Sequence, residues 1–479
     1  MTLRHLIAAS LLVAGGMTAA SQTPEATTPA GRSRVDVQAG VGKQRVEAFF
    51  KALASGNPDA FEAMAKEHYA PEQLARRTPA DRKQMVERIR ADFGQLTLGT
   101  VEKSKDGPVT LNVRGTTGLQ GTIELTLEPP PSERITRVGI QVGDAGPREG
   151  APPPPEVRET MSAAELAQSL DGYLAPMVAS QAFSGVVLVA KEAAPVYEKA
   201  FGLADRERKV FNTVATRFNI GSINKIFTKT AIAQLVSQNK LKLSDTLGAL
   251  LPDYPNAETK AATVDQLLSH QAGVADFFGP LYDQAPKDRF RSNADYYRLV
   301  SSQPPLFAPG ARRQYCNGCY IVLGALIEKI SGVPYEDYVA KHVYQPAGMT
   351  TAGPRGGDAA VGYTRRDGPG EGQARSNAAQ LGTSGSAAGG GYATVRDLLR
   401  FDEALRGGRL ADPTQTAWLL QVGAVTPGRS EGGLGIAGGA PGLNGVLESS
   451  KDWTVVVLAN LDPPAAEQLG VAIHRQLSR

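Results

Sequence analysis

Four consecutive prolines, Pro152 to Pro155, sit inside the stretch 144–158, which also holds Gly146, Pro147 and Gly150. Proline has no amide hydrogen and a fixed φ, so such a run can neither join a packed sheet nor continue a helix. With flanking glycines it favours an extended, semi-rigid spacer. This stretch therefore divides the chain into a unit over 41–143 and a longer one over 159–479. The full length of 479 residues leaves the second part ample material for a core of its own. A hydrophobic share of 42% against 21% charged places both parts with globular rather than disordered chains.

The first residues read as a signal peptide over 1–20. Arg4 and His5 precede an apolar run at 6–13, and Thr18 and Ala20 take the −3 and −1 places of a cleavage site. The run falls well short of the ~20 residues that cross a bilayer. No cysteine stands near the cleavage site to carry a lipid, and no other segment is apolar enough to span. The expectation is an exported protein, periplasmic or secreted, with no membrane span after cleavage. Residues 21–40, rich in Thr, Ala, Gly and Ser, read as a flexible leader.

In the unit 41–143, Val46, Phe49, Phe50 and Leu53 recur at helix spacing. Asn57-Pro58 and Thr78-Pro79 each supply an N-cap followed by a first-turn proline. Three stretches, 110–113, 122–127 and 135–142, then alternate apolar and polar residues as half-buried antiparallel strands do. Helices followed by a strand meander predict a small α+β domain whose order resembles the NTF2-like fold. The longer unit opens with a helix over about 163–179. Strand pairs follow near both of its ends, at 184–190 with 194–202 and at 442–449 with 454–460, and a last helix covers about 465–477. This order predicts one antiparallel sheet whose first and last strands meet, flanked by helices.

Lys+Arg 51 against Asp+Glu 48 leaves a net charge of +3, too little to grip nucleic acid, and the charges nearly cancel on either side of the spacer. The two cysteines, Cys316 and Cys319, exclude a disulfide-rich scaffold, and five scattered histidines supply no structural zinc set.

The chemistry concentrates at Ser222 and Lys225, in Gly-Ser-Ile-Asn-Lys at the start of an amphipathic run. Three residues apart at a helix start, they share a face. A serine hydroxyl is a weak nucleophile until a base takes its proton, and a lysine can be that base when burial lowers its pKa. Backbone amides at the helix start stabilise a developing anion. Taken alone, the pair equally describes a capping serine with a solvated lysine.

Three further stretches add context: Leu267-Leu268-Ser269-His270-Gln271-Ala272-Gly273, Tyr315-Cys316-Asn317 after Pro309-Gly310, and Ala388-Gly389-Gly390-Gly391-Tyr392-Ala393-Thr394 with Asp397-Leu398. With these the sequence resembles the serine β-lactamase and penicillin-binding-protein superfamily, most closely its class C β-lactamase, esterase and D-peptidase branch. The resemblance implies a β-lactamase/transpeptidase-like α+β fold, an antiparallel sheet flanked by helices, and no metal or other cofactor. It makes Ser222 the acylated nucleophile and gives Lys225 and Tyr315 the proton transfers. It assigns Asn317 to orient substrate and hydrogen-bond Lys225. The substrates it implies are small esters, amides or peptides.

The family's third motif, a Lys-Thr-Gly or His-x-Gly on an inner strand, is altered. Residues 435–442 read Gly-Ile-Ala-Gly-Gly-Ala-Pro-Gly where relatives carry Gly-His-Gly-Gly-Gly-Ala-Pro-Gly, so Ile436 replaces a basic residue. The amide of Gly439 remains available to form an oxyanion hole with that of Ser222. An isoleucine cannot hold a substrate carboxylate, and burying one without a partner costs on the order of several kcal/mol. This favours ester or uncharged acyl substrates and weak or no β-lactamase activity; Arg312 and Arg313 are the alternative cations. The competing expectation is a catalytically weak module that binds cell-wall peptide or a protein partner.

Other motifs have simpler readings. Cys316 and Cys319 are suited either to a local disulfide in an oxidising compartment or to two thiols. His270 reads as a structural hydrogen-bonding residue, since Ile220 breaks the G-x-S-x-G elbow that a triad would use. The G-x-G-x-x-G match at 433–438 is followed by Pro441 rather than a helix, so a dinucleotide site is not expected.

Overall fold

The structure is a computed structural model that describes residues 41–75, 78–103, 108–116, 120–142, 155–365, 374–421 and 433–478. The signal peptide, the leader, residue 143 and residues 144–154 of the spacer lie outside the described residues.

Asn57 caps the second helix, Pro58–His68, by accepting the amides of Asp59 and Ala60 at 2.9 and 3.1 Å. It follows Val41–Ala54, and Pro71–Ala75 and Pro79–Phe93 come next. Four antiparallel strands then pair in sequence order: Leu96–Lys103, Val109–Gly115, Gln120–Leu127 and Ile135–Val142. The inward residues Leu111, Val113, Ile123, Leu125 and Ile135 meet Phe49, Phe61, Val86 and Phe93 of the helices in one core. The alternation anticipated three of these strands and missed the first. Gly99 and a break in register between Leu98 and Val101 interrupt the pattern that alternation reads. The short helix Pro71–Ala75 was also not anticipated. Deep in this unit, Arg82 donates to both carboxylate oxygens of Glu62, at 2.7 and 2.9 Å, and to the carbonyl of Leu74 at 2.8 Å.

The C-terminal unit is built on a five-stranded antiparallel sheet. Its order is Gly435–Ala440, Leu443–Ser449, Trp453–Ala459, Gly185–Lys191, Ala194–Phe201. The first strand of the unit thus pairs with the last, Val189 opposite Val455 and Val187 opposite Val457. Alternate residues feed two cores. Val187, Val189, Val455 and Val457 pack under the helices Ala163–Ala179 and Ala465–Leu477; Val186, Leu188, Val456 and Leu458 face the larger helical side. Both faces are therefore covered, which explains why the central strands are almost continuously apolar. The spacer's last residues join this packing: Val157 is buried, its amide donates to Gln476, and Gln476 Nε2 donates to the carbonyl of Pro155 at 2.9 Å.

One local expectation is corrected. The third-motif stretch forms the strand that the resemblance implies, Gly435–Ala440, although it lacks the β-branched residues that mark one in a sequence. It lies at an edge of the sheet rather than inside it, so one side of its backbone is free to face the helical layer. Among the described residues, no helix is long and apolar enough to cross a membrane, and no group of three or more His, Cys, Asp or Glu is placed to hold a metal ion.

Candidate active site

Gly221 opens a 3-10 turn, Gly221–Asn224, that runs into the helix Lys225–Ser237. Ser222 lies in this turn rather than in the α-helix itself. With three residues per turn, positions 222 and 225 fall directly in line. Gly221 has φ +49°, and a Cβ there would lie 2.9 Å from Leu443 and 3.1 Å from the amide nitrogen of Gly439. Only glycine lets the turn rest this close to the edge strand.

Lys225 is buried, and its Nζ stands 3.1 Å from Ser222 Oγ. The ammonium also donates to Asn317 Oδ1 at 2.8 Å and to the carbonyl of Ala388. Burial pushes its pKa down to about 7, partly opposed by the carboxylate of Asp276 and reinforced by the charge of Lys229. Lys229, one turn further along the helix, is pushed down to about 8, first by burial and then by Arg313.

Tyr315 closes the other side. Its hydroxyl donates to Ser222 Oγ at 2.7 Å, and its ring centroid lies 4.9 Å from Lys225 Nζ. His270 stacks on that ring at 4.9 Å and accepts the amide of Cys316 at Nδ1, so it props the tyrosine turn. Burial, with Lys225, Lys229 and Arg313 nearby, lowers its pKa to about 4, which leaves the imidazole neutral at pH 7. Cys316 and Cys319 are joined in a disulfide across the start of the helix Asn317–Ser331. That closes the choice the sequence left open.

Asn317 leads this helix. Its Nδ2 donates to Asp276 Oδ2 at 2.9 Å. A carboxylate only accepts, so Asp276 fixes which end of the amide faces Lys225. Asp276 was missed in the sequence. The signal available was a lone acid, three residues beyond Gly273, in the run Val274-Ala275-Asp276-Phe277-Phe278.

The carbonyl of Ala388 was missed too, because backbone atoms leave no mark in composition. It is delivered by pairing between strands Phe218–Asn219 and Tyr392–Ala393 and by the bond from Ile220 N to Gly391 O. Asn224 Nδ2 donates to Ser386 O at 2.9 Å and pins the same turn.

Gly439 lies on the edge strand, and a Cβ on its neighbour Gly438 would sit 2.9 Å from Ser222 N. Ala440 pairs with Leu443 across a two-residue turn. By antiparallel alternation the amide of Gly439 then points away from strand Leu443–Ser449, toward the turn that carries Ser222. Ile436 shares the face of Gly438 and is partly buried against the larger core. Arg313 donates to the carbonyl of Ser269, and Arg312 lies over the Phe307 ring, 4.5 Å from its centroid.

Comparison with known proteins agrees with this geometry. The Beta-lactamase family model matches residues 170–477. The putative penicillin-binding protein PbpX of Bacillus subtilis is 29% identical over 315 residues, 63% of this chain and 75% of that protein. Esterase EstB of Burkholderia gladioli is 29% identical over 208 residues, 40% of this chain and 53% of the esterase. The crystal structure of a penicillin binding protein from Bacillus halodurans superposes with a TM-score of 0.56 at 28% identity, covering 63% of this chain and 98% of that one. The match over most of the C-terminal unit, on a sheet of this topology with Ser222, Lys225 and Tyr315 drawn together, places the chain in the beta-lactamase family, as a serine hydrolase with the β-lactamase/transpeptidase-like fold.

Proposed function

We propose that this is an exported hydrolase of small esters, with uncharged amides as the second substrate class, acting through an acyl-enzyme on Ser222. One observation carries the reading: Ser222 Oγ lies between a buried amine at 3.1 Å and a phenol at 2.7 Å. A neutral amine has two N–H groups and one lone pair. Asn317 Oδ1 and the Ala388 carbonyl accept the two N–H groups, so the lone pair faces Ser222. With a pKa near 7, a substantial fraction of Lys225 is neutral at physiological pH.

Lys225 takes the proton of Ser222 as Oγ attacks the carbonyl carbon. The amides of Ser222 and Gly439 receive the developing oxyanion. As the bond to the leaving group breaks, Tyr315 gives its proton to the departing oxygen or nitrogen and recovers one from Lys225. Water then attacks the acyl-enzyme, is deprotonated by the same pair, and releases the acid with Ser222 restored. Ile436 supports esters over carboxylate-bearing β-lactams, since its face of the edge strand carries no cation. The disulfide and the signal-peptide pattern support export.

Intact-mass spectrometry after incubation with p-nitrophenyl acetate, a fluorophosphonate and a penicillin tests this. Wild type is expected to gain an adduct from the first two and little from the penicillin, and Ser222→Ala to gain none. Absence of every adduct from wild type would overturn the reading.

A further inference from the structure

Large apolar side chains exposed to solvent are costly in water and are usually few and scattered. Among the described residues, four of nine lie on one short path beside the site: Phe278 at 54%, Leu281 at 57%, Leu306 at 48% and Tyr315 at 52% exposure. Tyr315 touches the nucleophile. Phe278 is linked to it through Asp276, whose Oδ2 accepts Asn317 Nδ2 at 2.9 Å and whose Oδ1 accepts the Phe278 amide at 3.1 Å. One carboxylate therefore fixes both the amide that faces Lys225 and the backbone under an exposed ring.

Phe278 is further set by Phe277, with ring centroids 4.0 Å apart, and by Tyr282 at 5.8 Å. Leu281 lies in the same turn of chain. Leu306 is tied to this wall because its amide donates to Gly273 O, while Gln303 Nε2 donates to Asp276 O at 3.1 Å. A cavity of about 380 Å³ elsewhere in the unit, lined by Asn219, Asn377, Tyr392 and Leu443, is not lined by Ser222, Lys225 or Tyr315.

Around the tetrahedral carbon on Ser222, three substituents need places. The oxyanion goes to the Gly439 amide, and the leaving group goes to Tyr315, its proton donor. That leaves the acyl chain the side of Asn317, whose partner Asp276 also holds the amide of Phe278. We infer that Phe278, Leu281 and Leu306 form an apolar acyl-binding wall and that preferred substrates carry a medium-length aliphatic or aromatic acyl group. This rests on the hydrolase reading and adds the substrate class to it.

The test is kcat/KM for p-nitrophenyl acetate, butanoate and hexanoate, and for ethyl and hexyl acetate, with wild type, Phe278→Ser and Leu281→Ser. Wild type is expected to gain about tenfold or more from acetate to hexanoate. Each variant is expected to lose most of that gain, with a far smaller change on acetate, and both side chains are exposed enough for the variants to fold. Equal rates across the acyl series in wild type overturn the inference, as does an equal loss on acetate and hexanoate in both variants. Dependence on the alcohol series instead assigns the wall to the leaving group and also overturns it. No turnover of any ester by wild type would sink the hydrolase reading itself, a result distinct from the others.

Discussion

Among the described residues, a buried cation in each half, Arg82 and Lys225, is treated in opposite ways. Arg82, in the N-terminal unit, receives a carboxylate through two parallel hydrogen bonds, and that contact holds the pKa of Glu62 below its usual value despite burial. Lys225, in the C-terminal unit, receives a side-chain amide, a backbone carbonyl and a hydroxyl, all uncharged; its carboxylate, Asp276, acts from behind Asn317. A full partner keeps a buried charge charged, whereas neutral acceptors leave it near its titration point. The first arrangement holds a core together, and the second readies an amine for proton transfer.

The largest expected effect is on the second site. Lys225→Met should lower kcat/KM on a reactive ester by about 10³-fold, the size of a lost general base, yet leave the thermal midpoint equal or higher. The sign follows from linkage. The folded state holds this amine near pKa 7, well below the 10.5 of an ordinary lysine, so its burial penalty is complete below pH 7 and vanishes above 10.5. The stability gained by Lys225→Met should therefore be greatest at or below pH 7, as melts across pH would report.

Arg82→Met is the mirror experiment. It leaves Glu62 buried with the cations of Lys66, at 3.8 Å, and Lys83 nearby, and should cost about 3 kcal/mol in denaturant unfolding. Ester turnover measured well below the melting range should stay at the wild-type value. Loss of activity in proportion to stability would erase the contrast between the two cations.

Asp276→Asn gives the smallest and most discriminating shift. After burial, Asp276 is the main influence on Lys225, and it raises the pKa. Removing its charge should move the rising limb of the pH–kcat/KM profile to lower pH. A limb that stays fixed would mean that another group titrates there.

What could be read in advance divides by range of interaction. Caps were legible because they act within one turn: Asn57 before Pro58 caps its helix as its position implies. Ser222 and Lys225 were legible for the same reason. Tyr315 and Asn317 carried a recognisable motif, but nothing local could place them 93 and 92 positions away in sequence onto Ser222 and Lys225. Asp276 and the Ala388 carbonyl were invisible because one lacked a motif and the other lacks a side chain. The strand Leu96–Lys103 was hidden by its glycine, which weakens alternation, whereas Gly435–Ala440 was placed on a strand by the resemblance and not by its own pattern.

The acceptor supplied by Ala388 belongs to the main chain, so no substitution at position 388 can delete it. Mutational drift can remove that contact only by moving the turn that presents it. The exposure to drift passes to Asn224, which pins the turn from Ser386, and to Gly391, where an added methyl would come within 2.4 Å of Asn224 Oδ1. Inactive variants of this protein should thus accumulate at Asn224 and Gly391 as well as at the residues that bond Ser222 directly.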